Sequence, residues 1–204
     1  MKQKDGTIFI VEDDHAVRDS LGLLLGLKGY STQMFADAES FLDSVQSYWR
    51  GCMLLDIKMP GMDGLTLQKH LREKGVKISI IIMSGHGTIE SAREAFRADA
   101  IDFLEKPIDQ TRLLTAINEA LEVVSETQQR ERARNEFSRM LDSLSPREHE
   151  VMQHVVAGRH NKEIAEALGI SPRTVEVHKS HLLDKLGVSG TSELIRFYVS
   201  YSGG

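Results

Sequence analysis

The sequence predicts an α/β domain with a doubly wound, five-stranded parallel sheet, followed by a small all-α domain of four helices that contains a helix-turn-helix. Three observations predict this arrangement. Five short apolar runs alternate with five segments of helical periodicity as far as about residue 125, which is the pattern of a parallel sheet covered on both faces. A dense run of Glu, Arg and Gln without Gly or Pro follows. Beyond Ser145 only helical patterns remain.

The predicted strands are short, and Ile78–Met83 is apolar except for Ser79, as expected of a strand that is buried on both faces. The strands are predicted at 7–11, 31–35, 51–55, 78–83 and 100–104, and the helices that follow them at 15–28, 37–48, 64–74, 87–97 and 109–124. Because crossovers between parallel strands are right-handed, the working crevice should lie at the carboxyl ends of the strands.

Composition excludes several classes of protein. The 204 residues are sufficient for two small domains, and 41% of them are hydrophobic. No apolar run approaches the roughly 18 residues of a membrane span, and the N-terminus does not have the pattern of a signal peptide. Cys52 is the only cysteine, so an intrachain disulfide is excluded. We expect a cytoplasmic protein that does not associate with membranes.

The negative charge of the chain lies entirely in residues 1–124, whereas residues 125–204 are neutral. Net charge therefore argues weakly against nucleic-acid binding. Binding would need a local face of basic residues. Residues 122–141 predict an exposed helical linker, in the simplest case an extension of the fifth helix into solvent. The folded domains are then expected at 5–121 and 142–204.

The C-terminal domain shows four helices with clear start and stop signals. Ser145 and Ser171 are predicted N-caps, and each is followed by a proline at the first helical position. Glycines end three of the helices: Gly158, Gly169 and Gly187. The segment 191–200 supplies the fourth helix.

Acidic residues follow two strands that are neighbours in a doubly wound sheet. Glu12, Asp13 and Asp14 follow the first strand, and Asp56 follows the third. Carboxylates that converge at one edge repel one another and raise each other's pKa unless a cation joins them. Oxygen ligands suit Mg²⁺, which commonly binds one or two carboxylates together with a substrate phosphate. The sequence therefore predicts a magnesium site at this edge.

Two further polar residues lie at the ends of the fourth and fifth strands. Ser84 ends the fourth strand and Lys106 ends the fifth, where a cis bond to Pro107 is plausible. A hydroxyl and an ammonium beside a metal-bound carboxylate can hold the oxygens of a transferred phosphoryl group. Taken singly, each residue has a simpler interpretation: the acids as helix caps, Ser84 as a turn residue and Lys106 as a solvated side chain. The combination of four strand ends favours the phosphoryl site.

The motifs "FIVEDD", "LLDIKMPGMDG", "IIMSGHG" and "DFLEKP", in this order and spacing, resemble the receiver domain of two-component response regulators, which has a flavodoxin-like fold. The resemblance implies Asp56 as the phosphoacceptor, with Glu12, Asp13 and the backbone carbonyl of Lys58 completing the Mg²⁺ site. It also implies three switch residues. These are Ser84 as the hydroxyl that follows the phosphoryl group, Lys106 as its cationic partner and Phe103 as the rotating aromatic, although Phe103 could simply belong to the core.

Two positions depart from the family pattern. Glu12 stands where aspartate is commoner, but it remains a carboxylate. Asp99 stands where the family usually has glycine after the fourth helix. Asp tolerates the left-handed conformation better than most residues do, so we expect the turn to survive with some strain.

The spacing of "NKEIAEALGISPRTVEVHKSHLLDKLG" predicts a helix-turn-helix, although a helical hairpin that binds protein has the same spacing. Its second helix should bury four residues: Val175, His178, Leu182 and Leu186. Its N-terminal end usually contacts bases in the major groove. There Glu176 could accept a hydrogen bond from cytosine, Val177 could contact a thymine methyl group, and Arg173 could bind guanine or phosphate.

Residues 142–201 resemble the LuxR-type DNA-binding domain, and the whole chain is similar to the FixJ/NarL subfamily of response regulators. The resemblance implies that residues 161–180 form the DNA-binding element and that a helix over 191–201 serves dimerisation. The complete set of predicted DNA contacts is Asn161, Lys162, Arg173, Thr174, Glu176, Val177, Lys179, Ser180 and His181.

The resemblance implies a regulator of transcription rather than an enzyme. A sensor histidine kinase would phosphorylate Asp56, promoter DNA would be the target, and RNA polymerase is a possible partner. Phosphorylation would promote a homodimer, release a receiver surface that masks the DNA-binding domain, or do both.

Two alternatives from other classes stay open at this point. A Mg²⁺-dependent phosphatase could use Asp56 as its nucleophile, but such enzymes usually carry a second acid where this chain has Lys58, and the sequence shows no substrate-cap insertion. A receiver that acts as a scaffold without phosphate is the other alternative, against which the presence of Asp56, Ser84 and Lys106 argues.

Overall fold

The computed structural model describes residues 6–85 and 88–202, with the backbone alone for Tyr201 and Ser202. Contacts within the chain divide it into two compact units, residues 1–128 and 129–204, and each is described by itself. The predicted starts of the first domain at Asp5 and of the fourth helix at Gly87 lie outside the described residues, as do His86 and the last two glycines.

The N-terminal unit contains the predicted five-stranded sheet. All the neighbouring strands are parallel, in the order β2-β1-β3-β4-β5. The strands are β1 Thr7–Val11, β2 Ser31–Phe35, β3 Gly51–Asp56, β4 Ile78–Ser84 and β5 Ala100–Glu105. The strand positions agree with the prediction to within one residue at each end, and the order is that of a doubly wound sheet.

Helices cover both faces of this sheet. They are α1 His15–Leu27, α2 Ala38–Ser44, α3 Gly64–Glu73, α4 Ile89–Arg97 and α5 Gln110–Asp142. Successive strand residues alternate between two apolar clusters, so that Leu54 packs with residues of α1 and α5, whereas Met53 and Leu55 pack with residues of α2 and α3. The residues predicted as a helical linker form a continuous helix with the fifth helix of the sheet domain.

Helix α2 is shorter than predicted, because the chain leaves the helix and packs Trp49, partly buried, against aromatic residues of the core. Val45 at the C-cap is extended, with ψ of 134°. The Trp49 ring then stacks on Phe9 at a centroid distance of 4.9 Å and meets Phe41 edge-on at 6.0 Å. The helical periodicity of 37–48 gave no sign of this aromatic contact, which depends on the neighbouring strand.

The C-terminal unit contains the four predicted helices. They are α6 Pro146–Val156, α7 Asn161–Leu168, α8 Pro172–Lys185 and α9 Thr191–Ser202. Ser145 and Ser171 cap α6 and α8 as predicted, by accepting hydrogen bonds from the backbone of Glu148 and Thr174. A single core of Val, Leu, Ile and Met side chains joins the four helices. Over the described parts of both units, none of the helices has the length and apolar character needed to cross a bilayer.

Helix α3 begins in close contact with the strand that ends at Asp56. Asp63 caps this helix by accepting from Thr66 N at 2.7 Å, and Gly64 N donates to Ile57 O at 2.9 Å. A Cβ atom on Gly64 would lie 2.2 Å from the carbonyl oxygen of Asp56. Because the obstructing atom belongs to the backbone, only glycine allows α3 to start here without displacing Asp56.

We expect Gly64→Ala to lower the free energy of unfolding by about 1–3 kcal/mol, because the added methyl group displaces the end of β3. Urea unfolding of the full chain, followed by the fluorescence of Trp49, measures this effect. Gly26→Ala is the matched control, because a Cβ atom at this α1 position would meet no atom within 4 Å beyond its own helix backbone. We expect this change to raise the free energy of unfolding by about 0.5–1 kcal/mol. Equal stability of the Gly64→Ala and wild-type proteins would contradict the close contact.

Candidate functional site

The predicted acidic residues converge at the carboxyl edge of the sheet. Strands β1 and β3 are paired so that Val11 lies beside Leu55, which brings the residues after them together. One carboxylate oxygen each of Glu12, Asp13 and Asp56 lies within 4.8 Å of the other two. Glu12 is completely buried and Asp56 is 5% exposed, whereas Asp13 is exposed. Asp14 instead caps α1, by accepting from the backbone of Ala16 and Val17.

Lys106 contacts two of these acids from the other side of β4. Its Nζ atom lies 2.7 Å from Glu12 Oε2 and 3.2 Å from Asp56 Oδ2. Its backbone N–H donates to Ser84 O at 2.7 Å, and the bond to Pro107 is cis. The ammonium is therefore held against the buried carboxylates by a backbone contact between β4 and the end of β5.

The burial of the charges perturbs their ionisation. Burial raises the pKa of both Glu12 and Asp56, although the Lys106 ammonium opposes this change. Burial by itself would lower the pKa of Lys106, but its bonds with the two carboxylates outweigh burial and raise this pKa. The site thus groups three carboxylate side chains, of which the one ammonium contacts two.

The donor set fits a hard divalent cation. Within residues 6–85 and 88–202, Asp56 Oδ1 is buried and accepts no hydrogen bond, which is costly for a carboxylate oxygen unless another group binds it. The grouped ligand atoms are all carboxylate oxygens, which Mg²⁺ and similar ions prefer. Lys58 lies in the loop after Ile57, and its side chain is exposed. Its backbone carbonyl remains the group that is predicted to bind the metal.

The other predicted switch residues lie at neighbouring strand ends. Ser84 is 1% exposed at the end of β4, between the strands that carry Asp56 and Lys106. Phe103 lies on β5, partly buried against the apolar cluster on one face of the sheet. Asp99 has a φ of 66°, so the expected left-handed turn after α4 is confirmed.

Two residues that hold the loops of this site were missed from the sequence. Arg18 Nη1 donates to the carbonyl oxygens of Glu12 at 2.6 Å and Asp13 at 3.2 Å. Glu39 Oε1 accepts from Met62 N at 3.1 Å, in the loop after Asp56. The side-chain types and spacing of Arg18 and Glu39 resemble those of ordinary solvated helix residues, so the sequence carried no signal for either contact.

The second helix of the predicted helix-turn-helix is α8, and it presents the predicted face. Val175, Leu182 and Leu186 are buried and His178 is partly buried. The exposed residues are Arg173, Glu176, Val177, Ser180 and His181. Thr174 is partly buried, and its hydroxyl shares a 2.8 Å hydrogen bond with Ser171, which makes it part of the helix cap.

The remaining predicted DNA contacts border a cleft between α7, α8 and α9. Asn161, Lys162 and Lys179 line it together with Arg159 and His160. Although residues 125–204 have no net charge, this cleft brings cationic side chains together. The net charge alone did not indicate such a group.

An ion pair between the buried Glu148 and the half-exposed Lys185 fixes α8 against the start of α6. Lys185 Nζ lies 2.7 Å from Glu148 Oε2 and 3.3 Å from Ser143 O. The same Glu148 oxygen accepts from the backbone and hydroxyl of Ser145. These donors, with Lys185 first, lower the pKa of Glu148 to about 2. The orientation of the exposed face of α8 thus depends on a charge at its opposite end.

Comparison with known protein families identifies the class of protein. Residues 8–118 match the response regulator receiver domain, and residues 142–198 match the bacterial regulatory proteins of the luxR family. The chain belongs to the response regulators that join a receiver domain to a LuxR-type DNA-binding domain.

Individual relatives identify the group of response regulators that this chain resembles. The transcriptional regulatory protein FixJ of Bradyrhizobium diazoefficiens is 39% identical over 94% of this chain and 93% of its own length. The structure of the response regulator StyR matches with a TM-score of 0.85, at 36% identity over 96% of this chain and 98% of StyR. Full-length FixJ from B. japonicum matches with a TM-score of 0.61, at 37% identity over 99% and 100% of the two chains. The chain is a FixJ-like transcriptional regulator.

We expect Glu148→Gln to lower the free energy of unfolding at pH 7 by about 1–2 kcal/mol, a small value for a charged hydrogen bond because Lys185 is half-exposed. The folded-state pKa is depressed from its ordinary value of 4.5 to about 2. The stabilisation is therefore complete above pH 4.5 and is lost as the pH falls toward 2. Urea unfolding followed by circular dichroism over this range checks the trend, with Trp49 fluorescence reporting the N-terminal unit separately.

Glu150→Gln provides the control for this prediction. Glu150 lies on the same helix and pairs with Arg147 at 2.6 Å, but both side chains are more than two-fifths exposed. We expect it to change stability by less than about 0.5 kcal/mol. A Glu148→Gln protein whose deficit did not shrink on acidification would show that the ion pair is not the stabilising interaction.

Proposed function

We propose that Asp56 accepts a phosphoryl group from a sensor histidine kinase and that this modification controls binding of the protein to promoter DNA. One observation carries the proposal. The Asp56 carboxylate lies at the end of β3 with Oδ2 held 3.2 Å from Lys106 Nζ, while Oδ1 is without a hydrogen-bond partner over the described part of the chain. One oxygen is thus held by a cation and the other is available for reaction.

In the proposed transfer, a carboxylate oxygen of Asp56 forms a bond to phosphorus while the phosphorus–nitrogen bond of the kinase phosphohistidine breaks. The imidazole leaves and takes a proton from solvent. Lys106 and Ser84 would pair with the phosphoryl oxygens. Glu12, Asp13, Asp56 and the carbonyl of Lys58 would hold Mg²⁺, which when bound neutralises charge on the phosphoryl oxygens.

The charge added by phosphorylation would change the electrostatic attraction on Lys106 and Ser84. A phosphoryl group brings negative charge and acceptor oxygens to the place where Lys106 now pairs with Glu12 and Asp56. Lys106 and Ser84 then gain a stronger partner than the carboxylates alone. Movement of Ser84 would change the space beside Phe103 on β5 and so bias the face formed by α4, β5 and α5.

The output would be pairing of two DNA-binding domains on promoter DNA. Phosphorylated receivers would form a homodimer and place two α8 helices in half-sites about one DNA turn apart. Arg173, Glu176 and Val177 would contact base edges, while the other predicted contact residues would hold the backbone. Bound at a promoter in the cytoplasm, such a dimer would meet RNA polymerase.

We expect phosphorylation to tighten DNA binding by about 5–150-fold, the usual range of coupling between two sites. The measurement is the affinity of the full chain for a duplex that it selects from random sequence, at fixed salt, with and without Mg²⁺ and acetyl phosphate. Asp56→Asn should keep the lower affinity under both conditions, because it lacks the nucleophile.

Two variants control this experiment. Asp43→Asn makes the same chemical change at an exposed position on α2 and should respond to the donor as wild type does. Arg173→Ala should bind DNA more weakly with and without the donor, because it alters the DNA face and not the switch. Equal DNA affinity of wild type under both conditions would overturn the proposed switch.

A further inference from the structure

Helix α4 is held to its unit by little burial. Ala95 is its fully buried residue, whereas Ile89 is 84% exposed and Phe96 is 50% exposed. A helix of nine residues gains most of its stability from tertiary contacts. The position of α4 must therefore depend strongly on the polar contacts at its ends.

The C-terminal end of α4 is bound by side chains of α3. Gln68 Nε2 donates to Ala95 O at 3.1 Å and to Ala98 O at 2.8 Å. Arg72 Nη1 donates to Arg97 O at 3.1 Å. The last carbonyl groups of a helix have no partner within it. The backbone N–H groups of Ala98 and Asp99 donate to the carbonyls of residues 94–96, and α3 adds donors to the carbonyls of Arg97 and Ala98.

The burial of Gln68 indicates that its hydrogen bonds to the end of α4 have a structural role. Its side chain is 1% exposed, next to Leu67 and Leu71 in the interior. Its Oε1 atom is buried and has no hydrogen-bond partner within the described residues. An apolar side chain here would avoid the cost of the unpaired oxygen. It would also remove the side-chain donor from Ala98 O, and it would leave Ala95 O with the backbone N–H of Ala98 as its donor.

The N-terminal end of α4 is capped by its own residues. Thr88 N donates to Ser91 Oγ and Ser91 N donates to Thr88 Oγ1, each at 3.1 Å. This cap can move together with its helix, because both partners belong to the same turn. The cap begins at Thr88, four residues after Ser84 in the sequence.

We propose that Gln68 is a positioning residue that fixes the C-terminal end of α4, so that a change at Ser84 moves the N-terminal end of the helix about this point. Helix α3 is a suitable anchor, because Gly64 packs its first turn against the carbonyl of Asp56. Gln68 therefore ties α4 to the element that also holds the phosphoacceptor. The anchor is independent of phosphorylation, whereas the movement rests on the proposed function.

Amide hydrogen exchange of the unphosphorylated full chain tests the anchor. In wild type, the amides of residues 96–98 should exchange more slowly than those of residues 92–94. Gln68→Met keeps the length of the side chain and removes both donors. It should speed exchange at 96–98 on the order of ten-fold, the effect of losing one to two hydrogen bonds, while exchange in α1 stays unchanged.

Gln153→Met makes the same replacement at an exposed position of α6 and should leave α4 unchanged. If Gln68→Met does not fold, the wild-type gradient alone still decides. Uniform exchange along α4, or unchanged exchange at 96–98 in the folded variant, overturns the anchor.

Addition of acetyl phosphate and Mg²⁺ tests the movement. In wild type the change in exchange should be concentrated at residues 88–94, and in Gln68→Met it should extend through residue 98. A wild-type change that is uniform along the helix overturns the fixed end. If the donor changes exchange nowhere in the N-terminal unit, the proposed phosphorylation switch fails, and the gradient in the unphosphorylated protein still decides the anchor.

Discussion

The rest of the structure depends on the buried charge cluster in which Lys106 Nζ contacts Glu12 Oε2 at 2.7 Å and Asp56 Oδ2 at 3.2 Å. Charges are costly to bury unless they are paired, and here the partners come from the ends of three different strands. The contact forms only if β1, β3 and β5 end at the same level, with β4 between the last two. A parallel sheet in the order β2-β1-β3-β4-β5 provides this alignment.

The loops and helices around the cluster hold its members in place through backbone contacts. Arg18 binds the carbonyl groups of Glu12 and Asp13, and Gly64 allows α3 to pack against the carbonyl of Asp56. Gln68 then extends this framework from α3 to the end of α4. Contacts with the backbone thus hold the loops that carry Glu12, Asp13 and Asp56, whereas the N-terminal end of α4 is capped by residues of its own turn.

Most of the fold and the cluster of site residues could be predicted from the sequence, because apolar periodicity and strand-end polarity are local signals. The alternation of short apolar runs and helices predicted the sheet, and the acids after two adjacent strands predicted the convergence at Asp56. The early end of α2 and the roles of Arg18, Glu39 and Gln68 could not be predicted. The end of α2 and the contacts of Glu39 and Gln68 depend on partners distant in sequence, whereas Arg18 binds backbone carbonyls, which leave no signal in the residue pattern. The residue types involved are common at solvated helix positions.

The most direct test of the central claim is the location of the phosphoryl group after the full chain is incubated with acetyl phosphate and Mg²⁺. Peptide mapping by mass spectrometry, under conditions that preserve acyl phosphates, should find one phosphoryl group on Asp56. It should appear only when a divalent cation is present. Labelling of another residue, or equal labelling of the Asp56→Asn protein, would contradict the assignment of this cluster as the phosphoacceptor site.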